Sequence, residues 1–96
     1  INWSVDYTIA SVHNHNGWAL YDLLGNRRSR YFDYLGECSD RRIAVSLGGR
    51  WGYIDTHGCE VVALRYDDAF EYKNGRARVV LNGRPFDINI NGLEIP

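Results

Sequence analysis

The chain has 96 residues, which fits a single domain over residues 1–96, and no apolar run is long enough to span a bilayer. Apolar residues at 45% and aromatic residues at 14% are enough for a packed core and exclude a disordered chain. A net charge of −1 argues against nucleic acid or an anionic membrane as the main partner.

The pattern of turn residues and β-formers predicts strands rather than helices. Ten glycines and seven tyrosines accompany only two prolines, which is typical of short strands joined by tight turns. We predict about eight antiparallel strands, near residues 3–12, 18–22, 28–34, 42–47, 51–55, 60–65, 76–81 and 85–90. Segments 34–40 and 67–74 are predicted to be loops, the second with room for one helical turn. The predicted fold class is all-β.

A repeat of about 34 residues organises these strands. Trp18 and Trp51 are 33 residues apart, and Gly58 and Gly92 are 34 residues apart. The chain is interpreted as half a unit, two whole units and an eroded half unit. Because eroded end units suit a self-capped domain, we expect the strands to close as a small sandwich or a curled barrel.

The end of each unit carries a recurring turn signal. Three glycines return at one position of the repeat and are predicted to have positive φ: Gly25, Gly58 and Gly92. Asp22 and Asp55 each stand three residues before such a glycine. We expect these aspartates to accept hydrogen bonds from backbone N–H groups in turns rather than to form a catalytic pair.

The middle unit carries the most specific motif. Residues 49–58 read Gly-Arg-Trp-Gly-Tyr-Ile-Asp-Thr-His-Gly, and Tyr66-Asp67 and Gly75-Arg-Ala-Arg-Val79 follow. This unit, residues 49–82, resembles the bacterial WG-repeat family, whose signature is Gly-x-Trp-Gly-Tyr-Ile-Asp with a downstream Tyr-Asp and a Gly-x-Ala-x-Val strand. In the flanking units Ala19 replaces the second glycine, and Pro85-Phe86 replaces Trp-Gly. The resemblance implies a β-repeat architecture and no catalysis.

The two whole units each begin with a tryptophan, and Pro85 stands at this position in the last unit. We expect Trp18 and Trp51 to occupy equivalent, largely buried sites that fill the space between hairpins.

Residues with metal-binding or redox chemistry are few. His13 and His15 have the spacing of two ligands on one strand face, and His57 is a third histidine. Scattered histidines rarely converge, so we expect no metal and no cofactor. For Cys38 and Cys59 we favour two thiols over a disulfide, which an oxidising compartment would allow. The sequence has no nucleophile elbow and no phosphate-binding glycine loop, so we expect no enzyme activity.

Charge is unevenly distributed along the chain. Five arginines lie close together: Arg27, Arg28, Arg30, Arg41 and Arg42. Interleaved with Tyr31, Phe32 and Tyr34, they are candidates for a nucleic-acid surface. The near-neutral total favours pairing of these arginines with acidic residues on neighbouring strands.

The predicted function is non-enzymatic binding of another protein. Acidic and aromatic residues of the two predicted loops form the predicted partner-binding site: Glu37, Asp40, Asp67, Asp68, Glu71 and Tyr72. The leading hypothesis is a bacterial immunity protein, itself a monomer, that covers a basic toxin domain. The expected location is the cytoplasm, and a periplasmic or secreted location is the alternative. The alternatives are a carbohydrate-binding or surface module that uses Trp3, Trp18 and Trp51, and a scaffold fragment of a longer WG-repeat protein. Exposed aromatic rings would favour the sugar-binding alternative.

Overall fold

The computed structural model describes residues 2–3, 9–14, 17–22 and 24–96, with side chains described from residue 17 onward except at residue 37. Within these ranges the regular structure is entirely β. The strands are β1 (Asn2–Trp3), β2 (Ile9–Asn14), β3 (Gly17–Asp22), β4 (Tyr34–Ser39), β5 (Arg42–Leu47), β6 (Arg50–Ile54), β7 (Glu60–Tyr66), β8 (Asp68–Ala69), β9 (Arg76–Leu81), β10 (Arg84–Asn89) and β11 (Glu94–Ile95). The all-β prediction is confirmed.

The described strands form three antiparallel sheets. The first sheet has the order β1-β2-β3, the second β4-β5-β6-β7, and the third β11-β10-β9-β8. None of these sheets closes into a barrel, so the expected curled barrel is not formed. The reason lies at Tyr66-Asp67, where the chain leaves β7 and begins β8 of the next sheet instead of returning to pair with β4.

Tight hairpins with left-handed backbone join strands within the sheets. The pair Gly48-Gly49 between β5 and β6 and the pair Asn82-Gly83 between β9 and β10 all have positive φ. This is the backbone pattern of type I′ turns, whose twist matches that of the flanking strands. Asp40-Arg41 and Asn74-Gly75 also have positive φ, and they form the turns before β5 and β9.

Three details of the predicted strand layout were wrong. The predicted strand at 28–34 is replaced by bridges at Arg27 and Phe32, which pair with β3. Residues 34–39 form β4 rather than a loop. No helical turn is present at 67–74, because Asp68–Ala69 pairs with β9 and Lys73 bridges to Arg76. In each case cross-strand pairing, which local sequence does not show, decided the conformation.

Two apolar cores lie between neighbouring sheets. The first core lies between the first unit and the second sheet and consists of Leu20, Phe32, Leu35, Ile43, Val45 and Ile54. The second core lies between the second and third sheets and consists of Ala44, Tyr53, Val62, Tyr66, Ala69, Tyr72, Ala77, Val79 and Ile88. Strand β5 therefore contributes to both cores, which is why residues 43–46 are all buried. The sheets pack in layers, as in a sandwich.

The outer face of the third sheet is polar. Arg78 and Asp87 occupy the repeat positions at which the second sheet has the core residues Ala44 and Tyr53. The Arg78 Nε atom lies 2.7 Å from Asp87 Oδ1, and the Arg76 Nε atom lies 3.4 Å from Asp87 Oδ2. The hydrogen bond from Arg78, aided by the charges of both arginines, holds the pKa of the Asp87 carboxyl below its usual range. Ion pairs thus take the place of apolar packing on this face.

Candidate functional site

The recurring aspartates hold turns. The Oδ1 atoms of Asp22 and Asp55 each accept hydrogen bonds from backbone N–H groups two and four residues later, at 2.8–3.0 Å. The bond from the Asn26 N–H is the main reason why the pKa of Asp22 lies below its usual value. Asn89 accepts the same two bonds in the next unit, at 2.9 and 3.1 Å. The prediction of turn-forming aspartates is confirmed, and Asn89, three residues before Gly92, completes the series.

The glycines of these turns have the predicted backbone conformation. Gly25 and Gly58 have φ of +87° and Gly92 has φ of +85°. A Cβ atom on Gly58 would lie 2.1 Å from the carbonyl oxygen of Arg28, in the preceding unit. A Cβ atom on Gly92 would lie 3.0 Å from Cγ2 of Val62, which occupies the repeat position of Arg28. The turns at Gly58 and Gly92 therefore pack against the unit before them.

Three of the predicted partner-binding residues are engaged within the fold. Asp67 Oδ2 accepts a hydrogen bond from the Asn82 N–H at 2.7 Å, and its Oδ1 lies 2.7 Å from Arg50 Nη1. Asp40 Oδ2 accepts the Gly75 N–H at 2.8 Å. Tyr72 is buried, and its hydroxyl donates to the Asn89 carbonyl at 2.6 Å. Assigning Tyr72 to a contact surface was therefore wrong, because its ring belongs to the second core.

The other three predicted residues differ in what the structure shows. Glu37 lies on β4, and its side chain is outside the described residues. Asp68 is exposed, and its Oδ1 accepts the N–H of Ala69 at 2.9 Å. Glu71 is exposed and lines a groove described next. Of these three residues, the structure places Glu71 in the lining of that groove.

An aromatic groove of about 480 Å³ crosses the described part of the molecule. It is lined by Trp18, Tyr34, Leu35, Gly36, Ala44, Trp51, Ala69, Phe70 and Glu71. The rings of Tyr34 and Trp51 are 5.3 Å apart between centroids and tilted by 56°. Tyr34 is 49% exposed and Phe70 is 51% exposed. We call this surface the aromatic groove.

Repeat positions explain how the groove is built. Trp18 is bridged to Phe32, and Trp51 is paired with Tyr66, so the two tryptophans occupy equivalent places. Equivalence is confirmed, but both tryptophans are half-buried at the groove rather than enclosed in a core. The core positions are filled instead by Tyr53 and by the strand-pairing partners of the tryptophans, Phe32 and Tyr66.

The remaining aromatic residues of the groove, Tyr34 and Phe70, lie shortly after two equivalent aspartates, Asp33 and Asp67. Tyr34 comes directly after Asp33, and Phe70 follows the short strand β8 after Asp67. Asp33 and Asp67 hold equivalent turns, since Asp33 Oδ2 accepts the Gly48 N–H at 2.9 Å. The groove thus combines side chains from all three sheets, including residues of the two segments, 34–40 and 67–74, that were predicted to be separate loops. The sequence signal that could have revealed the groove was the regular spacing of Trp18 and Trp51 and of Asp33 and Asp67.

Four of the five clustered arginines contact other residues within the fold. Arg28 Nε lies 3.2 Å from Asp22 Oδ2, and Arg30 Nε lies 2.7 Å from Glu60 Oε2. Arg27 stacks on Tyr31 at 4.6 Å, and Arg42 Nε donates to the Ile90 carbonyl at 3.1 Å. The expected pairing with acidic residues is therefore present at Arg28 and Arg30. Engaged arginines leave less reason to infer a nucleic-acid surface.

The described residues give little support for a metal site or for a disulfide. His57 is exposed in an Asx turn; the His13 side chain and all of His15 lie outside the described residues. Among the residues that the structure describes, no group of three or more His, Cys, Asp or Glu side chains is placed to hold a metal ion. Cys38 is half-buried and Cys59 is exposed, and no disulfide joins them. No helix of membrane-spanning length and apolarity occurs in the described ranges.

Layered antiparallel meanders, one for each unit of about 34 residues, define a β-repeat protein. Residues 51–84 match the family model described as WG containing repeat. This segment of the chain is therefore a WG repeat, as the resemblance of the middle unit predicted. No curated protein and no solved structure gives a significant match to the chain.

Proposed function

We propose that this chain is a non-enzymatic module that binds an extended segment of a partner protein in the aromatic groove. The observation that carries the proposal is the groove itself, in which four aromatic side chains from successive units line one concave surface. Partly exposed aromatic rings on a rigid β scaffold are costly to leave in water and are typical of surfaces that take peptide side chains.

The composition of the lining supports a polypeptide rather than a sugar. Among the lining residues that the structure describes, Glu71 is the charged one, and the others are aromatic, aliphatic or glycine. A sugar brings many hydroxyl groups, each of which loses hydrogen bonds to water and needs a polar partner in the site. A peptide with apolar side chains has fewer polar groups that need partners in the groove. Its backbone N–H and C=O groups can form hydrogen bonds at the edge of the groove or with water.

Carbohydrate binding is the second candidate. It is favoured by the exposure of the Tyr34 and Phe70 rings, because sugar faces stack on flat, accessible aromatic surfaces. The narrower hypothesis that the partner is a basic toxin domain draws support from the exposed carboxylates of Asp68 and Glu71. A scaffold role within a longer WG-repeat protein would use the same groove in several copies.

Selection from a random linear peptide library, followed by titration of the selected peptides, tests the proposal. We expect Phe70→Ala to weaken binding by more than tenfold, about 1.4 kcal/mol, because its ring is a half-exposed wall of the groove. Leu93→Ala is the matched control, since Leu93 is an exposed apolar side chain at 64% that does not line the groove. Thermal unfolding of both variants checks that the fold is retained.

Two results would overturn the proposal. Selected peptides that bind wild type and Phe70→Ala equally would place recognition elsewhere. Absence of any peptide binder, together with glycan-array binding that Phe70→Ala abolishes, would establish the sugar-binding alternative.

A further inference from the structure

We infer that the aromatic groove selects an arginine side chain of the bound segment, with the guanidinium against the rings and next to the Glu71 carboxylate. This inference rests on the proposed function and specifies the chemistry of the partner. It follows from the charge of the groove, the exposure of its rings and the use of the same chemistry elsewhere in the chain.

Charge complementarity comes first. Glu71 is exposed and forms no ion pair with any residue in the described part of the chain. Five other acidic residues each have an arginine partner: Asp22, Glu60, Asp67, Asp87 and Glu94. No basic residue occurs among the groove-lining residues that the structure describes. The groove therefore presents a negative charge that a cation from a partner would neutralise.

The rings provide the second element. Four arginines stack on aromatic rings of this chain at 4.4–5.4 Å, namely Arg27 on Tyr31, Arg30 on Phe32, Arg65 on Tyr66 and Arg84 on Phe86. None of these four rings lines the groove. Tyr34 and Phe70 present about half of their surface to solvent beside Glu71. A cation placed there gains both the ring quadrupole and the carboxylate charge.

The combination of aromatic rings and a carboxylate in the lining favours arginine over lysine. A guanidinium is planar, so it stacks on a ring face while it donates two hydrogen bonds to one carboxylate. An ammonium group is more strongly hydrated and meets a carboxylate as a point charge. The aliphatic stem of either side chain would pack along Leu35, Ala44 and Ala69.

The test uses capped pentapeptides with a central residue flanked by alanines, titrated into the full chain labelled with ¹⁵N. The central residue is Arg, Lys, Gln or Glu. We expect the Arg peptide to shift the signals of residues 34–36 and 69–71 and to bind at least fivefold more tightly than the Gln peptide. Affinity for the Arg peptide should fall as salt rises, because exposed charges are screened. Glu71→Gln should weaken it at least threefold.

Glu94→Gln is the matched control, since it removes an exposed carboxylate that lies outside the groove lining. We expect it to leave Arg-peptide affinity unchanged. Equal binding of the Arg and Gln peptides, or an unchanged affinity in Glu71→Gln, overturns the inference. If library-selected peptides lack arginine and still depend on Phe70, the cation preference fails while the proposed function stands. If no peptide binds through Phe70, both fail.

Discussion

The two cores between the sheets use the same positions of the repeat but fill them with different side chains. Leu20 and Phe32 of the first core are replaced by Tyr53 and Tyr66 in the second. The bulky Leu35 and Ile43 are replaced by Ala69 and Ala77, whereas Val45 and Ile54 correspond to Val79 and Ile88. The two tyrosines are larger than the residues they replace but do not make up for the two alanines, and the second core also contains Ala44, Val62 and Tyr72. The apolar pattern of the repeat is kept while individual side chains are exchanged, as packed cores tolerate.

The exchange gives the second core a property that the first core lacks. The six first-core residues are all hydrocarbon side chains, whereas the tyrosines of the second core bring hydroxyl groups that need partners. The Tyr53 hydroxyl donates to the Phe70 carbonyl at 2.5 Å, and the Tyr72 hydroxyl donates to the Asn89 carbonyl. Tyr53 therefore connects the second core to the segment that carries Phe70 and Glu71. The hydrogen bond from Tyr53 thus holds the Phe70 side of the groove to the second core.

The largest expected effect is that of Tyr53→Ala. We expect a loss of about 3–5 kcal/mol in the free energy of unfolding, because a fully buried ring is removed and the Phe70 carbonyl loses its partner. Leu20→Ala, at the equivalent position, should cost less because no hydrogen bond is broken. Urea unfolding measures both variants. A Leu20→Ala loss clearly exceeding that of Tyr53→Ala would contradict the comparison.

The turn glycines should show the next largest difference. Gly58→Ala forces a Cβ atom against the Arg28 carbonyl in addition to the unfavourable positive φ, whereas Gly25 has open space around its Cα. We expect a loss of at least about 2 kcal/mol for Gly58→Ala, from about 1–2 kcal/mol of backbone strain and about 1–3 kcal/mol of overpacking. Gly25→Ala should show the strain alone. Equal losses in thermal or urea unfolding would show that the turn does not pack on the preceding unit.

The smallest effect concerns alkaline pH. Burial raises the pKa of Tyr72 to about 12 and raises that of Tyr53 further. Because tyrosines ionise near pH 10 when unfolded, the folded state retains protons that the unfolded state loses. Stability is therefore full below about pH 10 and should fall as pH rises from there towards the folded-state pKa values.

Tyr72→Phe separates this contribution. At neutral pH it should cost about 1–2 kcal/mol, since the Asn89 carbonyl loses its donor. Above pH 10 its stability should fall less steeply than that of the wild type, as measured by melting temperature against pH. Parallel curves for the two proteins over this range would argue against a role of Tyr72 in the alkaline loss.

Much of the fold was accessible from local pattern. The spacing of Trp18 and Trp51 revealed the repeat, and the residues three positions before Gly25 and Gly58 were correctly predicted to hold turns. These predictions succeed because an Asx turn and a positive φ depend on a few neighbouring residues. The position of β4 was missed, because Tyr34–Ser39 has loop-like composition and becomes a strand only by pairing with β5.

The candidate site was accessible only in part. Glu71 was identified among the acidic residues, but Asp40 and Asp67 carry the same carboxylate group and are bound within the fold. Tyr72, an aromatic residue of the same predicted loop, is buried. Nothing local distinguishes a carboxylate that caps the turn of a neighbouring unit from one that faces solvent. The partner atoms of Asp40 lie 35 residues away in the sequence.

The sequence by itself determined the repeat, the all-β class, the turn chemistry and the family of residues 51–84. The repeat follows from the same residue types returning after 33 or 34 positions. The class and the turn chemistry follow from residue types at short spacing, where backbone sterics and local hydrogen bonds decide the outcome. Only the tertiary structure decided that the sheets layer openly and that the tryptophans stand at a groove. Those features arise where residues of successive units meet, since burial depends on which surfaces face each other, and such contacts are not encoded in local spacing.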